Sequence, residues 1–421
     1  MSYSPCAQHI RRAYSTRERI ASVPVTYTLP PELYARAVAL GRLMVDLHFA
    51  HEFWPILLLL LLLCFRFPAW LAGSMGTHIR RPWPHKLLFA ATLILFVQLA
   101  SLPLSIIGHH ILLRFGISIQ HWPSWFADVA KSLAITTIVG TVLVAIVYFL
   151  LARSPRRWWL WFWIIMVLFM VAGVTLTPLV IDPLFNKFEP LAQTNPALVT
   201  ELERVVQRSG ITIPPSRIFL MRASAKVTET NAYVTGFGSS KRVVVWDTTL
   251  RSTPPDQIDF LFGHELGHYV LHHVVYGMLF AAALMLLCFW LGAHITAWML
   301  DRFGPRWGIT SLRDPAMLAI LLLLFAIAQV ATEPVDNAFS RHIEHAADVY
   351  GQEAMHGIVP DPAATAATSF QALGEQNLAT PERRPLVEFW CYSHPATADR
   401  IAFAAAYHPW SGDAQPVYFR K

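Results

Sequence analysis

Runs of apolar residues long enough to cross a bilayer restrict this chain more than any other feature. About 20 predominantly apolar residues are needed to span the hydrocarbon core as a helix. The sequence offers six such stretches, over residues 54–74, 87–113, 130–151, 158–181, 274–300 and 316–332. The first contains an unbroken aliphatic run, Ile56 to Leu63, and its Arg66 is expected to snorkel toward the interface. Trp158, Trp159 and Trp161 open the fourth as an interfacial aromatic belt. In hydrocarbon the backbone must satisfy its own polar groups, so these stretches are read as helices. Only 14% of the 421 residues are charged, against about 25% in soluble domains. The fold class expected is therefore a mostly α, polytopic membrane protein. The net charge of +6 fits basic loops beside anionic headgroups. No nucleic-acid-binding motif accompanies it, so the bilayer is the expected partner and nucleic acid is not.

The remaining segments have different characters. Residues 1–30 form a polar tail with Arg11, Arg12, Arg17 and Arg19 and no apolar core for a secretory signal. Residues 31–53, opened by Pro30-Pro31, carry Leu33, Ala37, Leu40, Met44 and Leu47 at helical spacing among charges. They read as an amphipathic helix too polar to span. Four spans occupy 54–181. Residues 182–273 read as an α+β unit. In it, Asn195-Pro196 caps a helix over 196–209, strands are expected at 217–221, 226–234 and 241–246, and a further helix starts at Thr253-Pro254-Pro255. Two spans occupy 274–336, with Glu333-Pro334 ending the second, and 337–421 is a mostly helical C-terminal part. The four cysteines, Cys6, Cys64, Cys288 and Cys391, form no C-x-x-C pair. Cys64 and Cys288, inside apolar runs, read as buried small apolar residues rather than disulfides.

The chemistry-bearing stretch is Gly263-His264-Glu265-Leu266-Gly267-His268. Histidines four apart on a helix share one face, about a turn from each other, and can hold two corners of a tetrahedral zinc site. Glu265, beside the first ligand, can then take a proton from a metal-activated water. The chain contains 18 histidines, so the motif needs support from elsewhere, above all a third ligand. His272 lies another turn on, but the helix pattern continues through Tyr269-Val270-Leu271, so His272 and His273 read as interfacial. The better source is Ser340-Arg341-His342-Ile343-Glu344-His345-Ala346-Ala347-Asp348. There Glu344 can ligate, and Asp348, one turn on, can accept the N–H of a ligating imidazole. His342 and His345 are rival ligands that spacing does not exclude.

Six blocks in order make a resemblance specific. They are Leu102-Pro103-Leu104-Ser105 with Lys131-Ser132-Leu133, then Phe185-Asn186-Lys187-Phe188, then Asn231-Ala232-Tyr233 with Lys241-Arg242-Val243-Val244. His264–His268, Ser340–Asp348 and Tyr392-Ser393-His394-Pro395 follow. Over about residues 30–405 the chain resembles the CAAX prenyl protease 1 family of integral-membrane zinc metalloendopeptidases. The resemblance implies one zinc ion per chain held by His264, His268 and Glu344, with Glu265 as general base. It implies an edge strand at Asn231 and Ala232 that pairs with substrate backbone, an oxyanion donor in His394, and supporting roles for Asp348 and Arg400. It also implies membrane helices that enclose a chamber, and a peptide or protein substrate, prenylated at its C terminus, that loses its last three residues.

Family members begin with one more span before the Pro-Pro segment, so this chain is expected to lack the first of seven. Two other readings stand beside this one: a quality-control zinc protease of membrane proteins, and a non-catalytic scaffold or transporter with structural zinc. A structural site would require a fourth protein ligand and leave Glu265 without a role. Loop charge does not decide sidedness. Arginines up to residue 53 favour a cytoplasmic N terminus, but Arg80, Arg81 and Lys86 fall on the opposite side. An inner-membrane location with a cytoplasm-facing site follows from the resemblance.

Overall fold

The computed structural model of the protein describes residues 26–411 and 415–419. Residues 1–25 of the expected polar tail lie outside these. Among the described residues, six helical segments are long and apolar enough to cross a membrane: Pro31–Cys64, Pro82–Phe115, Trp122–Arg153, Trp158–Phe185, His273–Trp307 and Pro315–Ala354.

The first differs from expectation. The segment read as an amphipathic helix over 31–53 and the start of the span expected at 54–74 are one continuous helix, α1 (Pro31–Cys64), with Pro55 inside it. Pro68 has no N–H for the Cys64 carbonyl, and its ring would clash there if the helix went on. Accordingly Arg66 adopts a left-handed φ of 58° and a separate helix, α2 (Phe67–His78), follows. Arg66 does not simply reach for water: its Nε donates to the Arg306 carbonyl at 2.7 Å. Cys64, at the end of α1, is exposed rather than buried. Helices α3 (Pro82–Phe115), α4 (Trp122–Arg153) and α5 (Trp158–Leu176) complete the first half, and α5 runs through a π-helical turn to Phe185. Leu59, Leu63, Phe89, Leu93 and Leu151 pack with Met317–Ile320 to form the core of the bundle.

The α+β unit carries four strands, β1 (Phe188–Pro190), β2 (Ile218–Met221), β3 (Ala232–Thr235) and β4 (Arg242–Trp246), in the order β1-β2-β4-β3. β2 runs parallel to β4, and β3 is antiparallel to it at the edge. Helix α6 (Pro196–Arg208) is capped as expected, Asn195 Oδ1 accepting from Leu198 N at 3.2 Å. The strand expected over 226–234 is much shorter. Its first half docks on the loop between α3 and α4 instead, where Lys226 O accepts from Ile119 N and Thr228 N donates to Ile117 O. Lys226 Nζ joins the same junction, donating to Asp128 Oδ2 and Phe185 O. Sequence periodicity cannot reveal that a membrane loop supplies the partner.

Helix α7 (Pro255–Val270) carries the histidine motif. It does not run straight into the fifth span. The chain breaks at Leu271-His272, with His272 at φ 56°, and α8 starts at His273 and continues to Trp307. The sixth span behaves in the opposite way. Pro334 does not end it; helix α9 runs from Leu318 to Ala354 without interruption, since one missing donor can be absorbed inside a well-packed helix. The expected boundary near 336 is therefore absent, and the C-terminal part begins inside this helix. Helices α10 (Pro362–Gln376), α11 (Pro385–Cys391) and α12 (Thr397–Ala406) follow. Leu202, Phe260, Phe262, Leu266, Phe370 and Ile401 close a second core beneath the motif.

Candidate metal and active site

Two helices cross at close quarters to build the site. Glycines permit the approach. A Cβ on Gly351 of α9 would lie 2.8 Å from His264 N, and one on Gly267 of α7 would lie 3.1 Å from Ala347 Cα. The spacings Gly263-x-x-x-Gly267 and Ala347-x-x-x-Gly351 were visible in the sequence as small residues on single helix faces.

The crossing brings His264, His268 and Glu344 together, their ligand atoms within 4.8 Å of one another. His264 Nε2 lies 3.2 Å from His268 Nε2 and 3.3 Å from Glu344 Oε2, and His268 Nε2 lies 3.5 Å from Glu344 Oε1. A tetrahedral zinc ion at its usual ligand distances needs ligand atoms about 3.3 Å apart. The two rivals for third ligand face elsewhere: His342 is exposed, and His345 is exposed with its ring edge-on to Phe403 at 4.6 Å.

Each imidazole is held by a partner on its far side. Asp348 Oδ1 lies 2.8 Å from His264 Nδ1, an off-axis contact. A carboxylate only accepts, so the proton belongs on Nδ1 and Nε2 faces the cluster with its lone pair. Arg400 anchors Asp348 in turn, Nε to Oδ2 at 2.9 Å and Nη2 to Oδ1 at 2.5 Å, while its guanidinium stacks on Phe370. His273, read as interfacial, is buried with Nδ1 3.0 Å from His268 Nδ1. With His268 Nδ1–H donating to it, His268 Nε2 is also free. The helix break at His272 is what turns His273 inward, and no spacing rule announces it. His272 itself is exposed.

This donor set fits a divalent cation. Two lone pairs facing each other at 3.2 Å repel unless a cation lies between them, and Glu344 Oε2 is buried without a hydrogen bond. Asp348, Glu344 and Glu265 surround the cluster, and Arg400 is the guanidinium that reaches it. Burial opposes charge on His264, but Asp348 and Glu344 outweigh it and push its pKa up to about 10. The field that would hold a proton there is the field that attracts a metal ion. Burial pulls His268 down to about 3 and keeps it a neutral donor.

Glu265 flanks the cluster. Burial, opposed by His264 and reinforced by Glu344, raises its carboxyl to about 7. Its Oε2 accepts from Val234 N of β3 at 3.1 Å, leaving Oε1 for other work. β3 is the free edge of the sheet. The two residues expected there differ in what they present. Asn231 O takes Trp246 N and Thr249 Oγ1, and Asn231 N donates to Thr249 Oγ1. In an antiparallel ladder alternate residues turn their backbone groups outward, so Ala232 and Val234 face the edge, the Val234 N–H being taken by Glu265, and Asn231 offers an exposed side chain. On the opposite side, the Ser393 hydroxyl lies 2.9 Å from His394 Nδ1, and His394 Nε2 lies 3.4 Å from Glu344 Oε2. A hydroxyl donating to Nδ1 leaves an Nε2–H directed at the cluster.

Comparison with known proteins identifies the family. Residues 192–408 match the family described as peptidase family M48, and residues 11–187 match the CAAX prenyl protease N-terminal region described as having five membrane helices. A Bacillus subtilis protein described as an uncharacterized metalloprotease, YhfN, is 34% identical over 75% of this chain and 72% of its own. A CAAX prenyl protease 1 homolog of rice is 26% identical over 90% of this chain and 88% of its own. The crystal structure of S. mikatae Ste24p superposes with a TM-score of 0.77 over 96% of this chain and 97% of that one, at 22% identity, which speaks to fold alone. On these matches the chain belongs to peptidase family M48, as a multi-pass membrane metalloprotease with the membrane region of the CAAX prenyl proteases.

Proposed function

We propose that the protein is a zinc endopeptidase that removes C-terminal tripeptides from CAAX-type, prenylated substrates at a membrane. The observation that carries this reading is the convergence of His264, His268 and Glu344 with a further, partly buried carboxylate, Glu265, tied to the edge strand β3. The CAAX prenyl protease 1 homolog of rice supports the substrate class, and apolar helices continuing from both ligand helices support a lipid-borne substrate. An inner-membrane location with the site facing the cytoplasm belongs to the same proposal.

His264, His268 and Glu344 would hold one zinc ion, leaving a position open toward β3 and His394. When bound, the ion supplies Lewis-acid polarisation of the scissile carbonyl and acidifies a water. The chain's residues do the rest. The Ala232 backbone pairs with the extended peptide as an added strand. Glu265 takes the water proton at Oε1 and returns it to the leaving amine, a task suited to a carboxyl near neutrality. The His394 Nε2–H donates to the oxygen that gains charge, a contribution of a few kcal/mol for a well-placed donor.

The test is cleavage of a farnesylated C-a-a-X peptide and its unmodified counterpart by purified protein, with and without chelator and with products identified by mass. Chelator-sensitive release of a tripeptide, faster from the farnesylated peptide, is expected. Glu265→Gln should keep its metal and lose at least about a thousandfold in rate. Equal rates on unmodified peptides of arbitrary sequence would favour a quality-control protease, and absence of metal-dependent cleavage would end the proposal.

A further inference from the structure

His394 presents a positioning problem. It sits in the loop between α11 and α12, and its side chain is 56% exposed. Packing therefore does not fix the ring, and its aim depends on the backbone beneath it. That backbone is held at alternate carbonyls by side chains. Arg341 Nη1 donates to Glu388 O at 3.1 Å and to Tyr392 O at 2.6 Å. Asn337 Nδ2 donates to Trp390 O. Arg383 Nη1 donates to His394 O at 3.0 Å, and its guanidinium covers the Tyr392 ring 3.9 Å from the centroid.

Two features make this more than a stabilised turn. Asn337, Arg341 and Glu344 lie at i, i+4 and i+7, on one face of α9. The helix that supplies the carboxylate ligand thus also anchors the loop bearing His394, so one rigid body sets both positions. Further, neither arginine forms an ion pair among the described residues. Each directs Nη1 at neutral carbonyls, Arg341 at two and Arg383 at one, and Arg383 also lays its planar guanidinium on Tyr392, which a compact ammonium does not reproduce.

We propose that Arg341 and Arg383, assisted by Asn337, are positioning residues that hold His394 over the metal site. The proposal rests on the reading of His394 as an oxyanion donor. A displacement of about 1 Å can cost about a hundredfold in rate, so the clamp acts on turnover rather than on peptide affinity.

A double-mutant cycle tests it on the full-length protein. Arg341→Ala and Arg383→Ala should each lower kcat by about 10- to 100-fold, with KM and zinc content within about twofold. Arg341→Lys, which keeps the charge but loses the reach and planar donor geometry of Nη1, should recover only part of the loss. In a His394→Ala background, neither alanine substitution should cost more than about twofold further. Multiplicative losses in that background would overturn the proposal, as would wild-type kcat in the single variants. If Arg341→Ala loses zinc or does not fold, Arg341→Lys and Arg383→Ala carry the cycle. Amide hydrogen exchange over residues 390–396 reads the clamp without reference to turnover. It should quicken in both arginine variants and stay unchanged in His394→Ala. Unchanged exchange in the arginine variants would defeat the clamp, whereas a His394→Ala protein at wild-type rate with quickened exchange in the arginine variants would defeat the role of His394 instead.

Discussion

The two helices that carry the candidate metal ligands meet the membrane in opposite ways. Helix α7 stops at Val270, the chain takes a left-handed residue at His272, and a new helix α8 continues as the fifth span. Helix α9 keeps its axis from Leu318 to Ala354, straight through Pro334. The broken junction lets His273 fold back beneath His268, which a continuous helix would not allow, because residues five apart diverge around the axis. The unbroken helix carries Glu344, Asp348 and the Arg341 anchor at fixed spacings and delivers them to α7 as one body. His264 and His268 thus sit on a helix that ends just before the membrane span, whereas Glu344 sits within a continuous one. Packing at Gly267 and Gly351 brings the two arrangements into register.

Substitutions at three positions probe this contrast, and they differ in expected size. Glu344→Ala removes the proposed carboxylate ligand and should abolish stoichiometric zinc and cleavage together. Metal analysis showing full occupancy would transfer the role to His342 or His345, despite their outward placement. Gly351→Ala strikes the crossing itself. Its Cβ would meet His264 backbone at 2.8 Å, so α7 must shift, at a cost of about 1–3 kcal/mol. Zinc affinity and thermal stability in detergent should fall together, and an unchanged affinity would show that the crossing is not what sets the ligand spacing. The smallest effect belongs to the broken junction. His272→Gly removes the left-handed penalty and should stabilise by up to about 1 kcal/mol, whereas His272→Val should destabilise. Loss of stability in the glycine variant would mean that the imidazole, not the backbone, holds the junction.

Much of this molecule is readable from residue patterns because its chemistry is local. A helix converts a spacing of four into a shared face, so His264 and His268, or Glu344 and Asp348, can be paired from their spacing alone. Apolar run length likewise indicates six spans, because hydrocarbon demands helices of a minimum length. Boundaries were less legible. Proline is ambiguous without its surroundings: Pro68 coincides with the end of α1, while Pro55 and Pro334 sit inside helices whose packing tolerates one missing bond. The strand expected from Lys226 shortened because a membrane loop took its first half as partner.

What the sequence by itself determined is the set of groups with metal affinity, the helical faces that carry them and the need for a bilayer. Only the tertiary structure decided that Glu344 rather than His342 or His345 joins the histidines, that His273 supports His268, that Asn231 turns its backbone into the sheet while Ala232 faces the edge, and that arginines on distant segments hold the loop of His394. These are long-range choices. They depend on which two backbones meet and in what direction; a small-residue face such as Gly263-x-x-x-Gly267 is visible in the sequence, but the partner it admits is not.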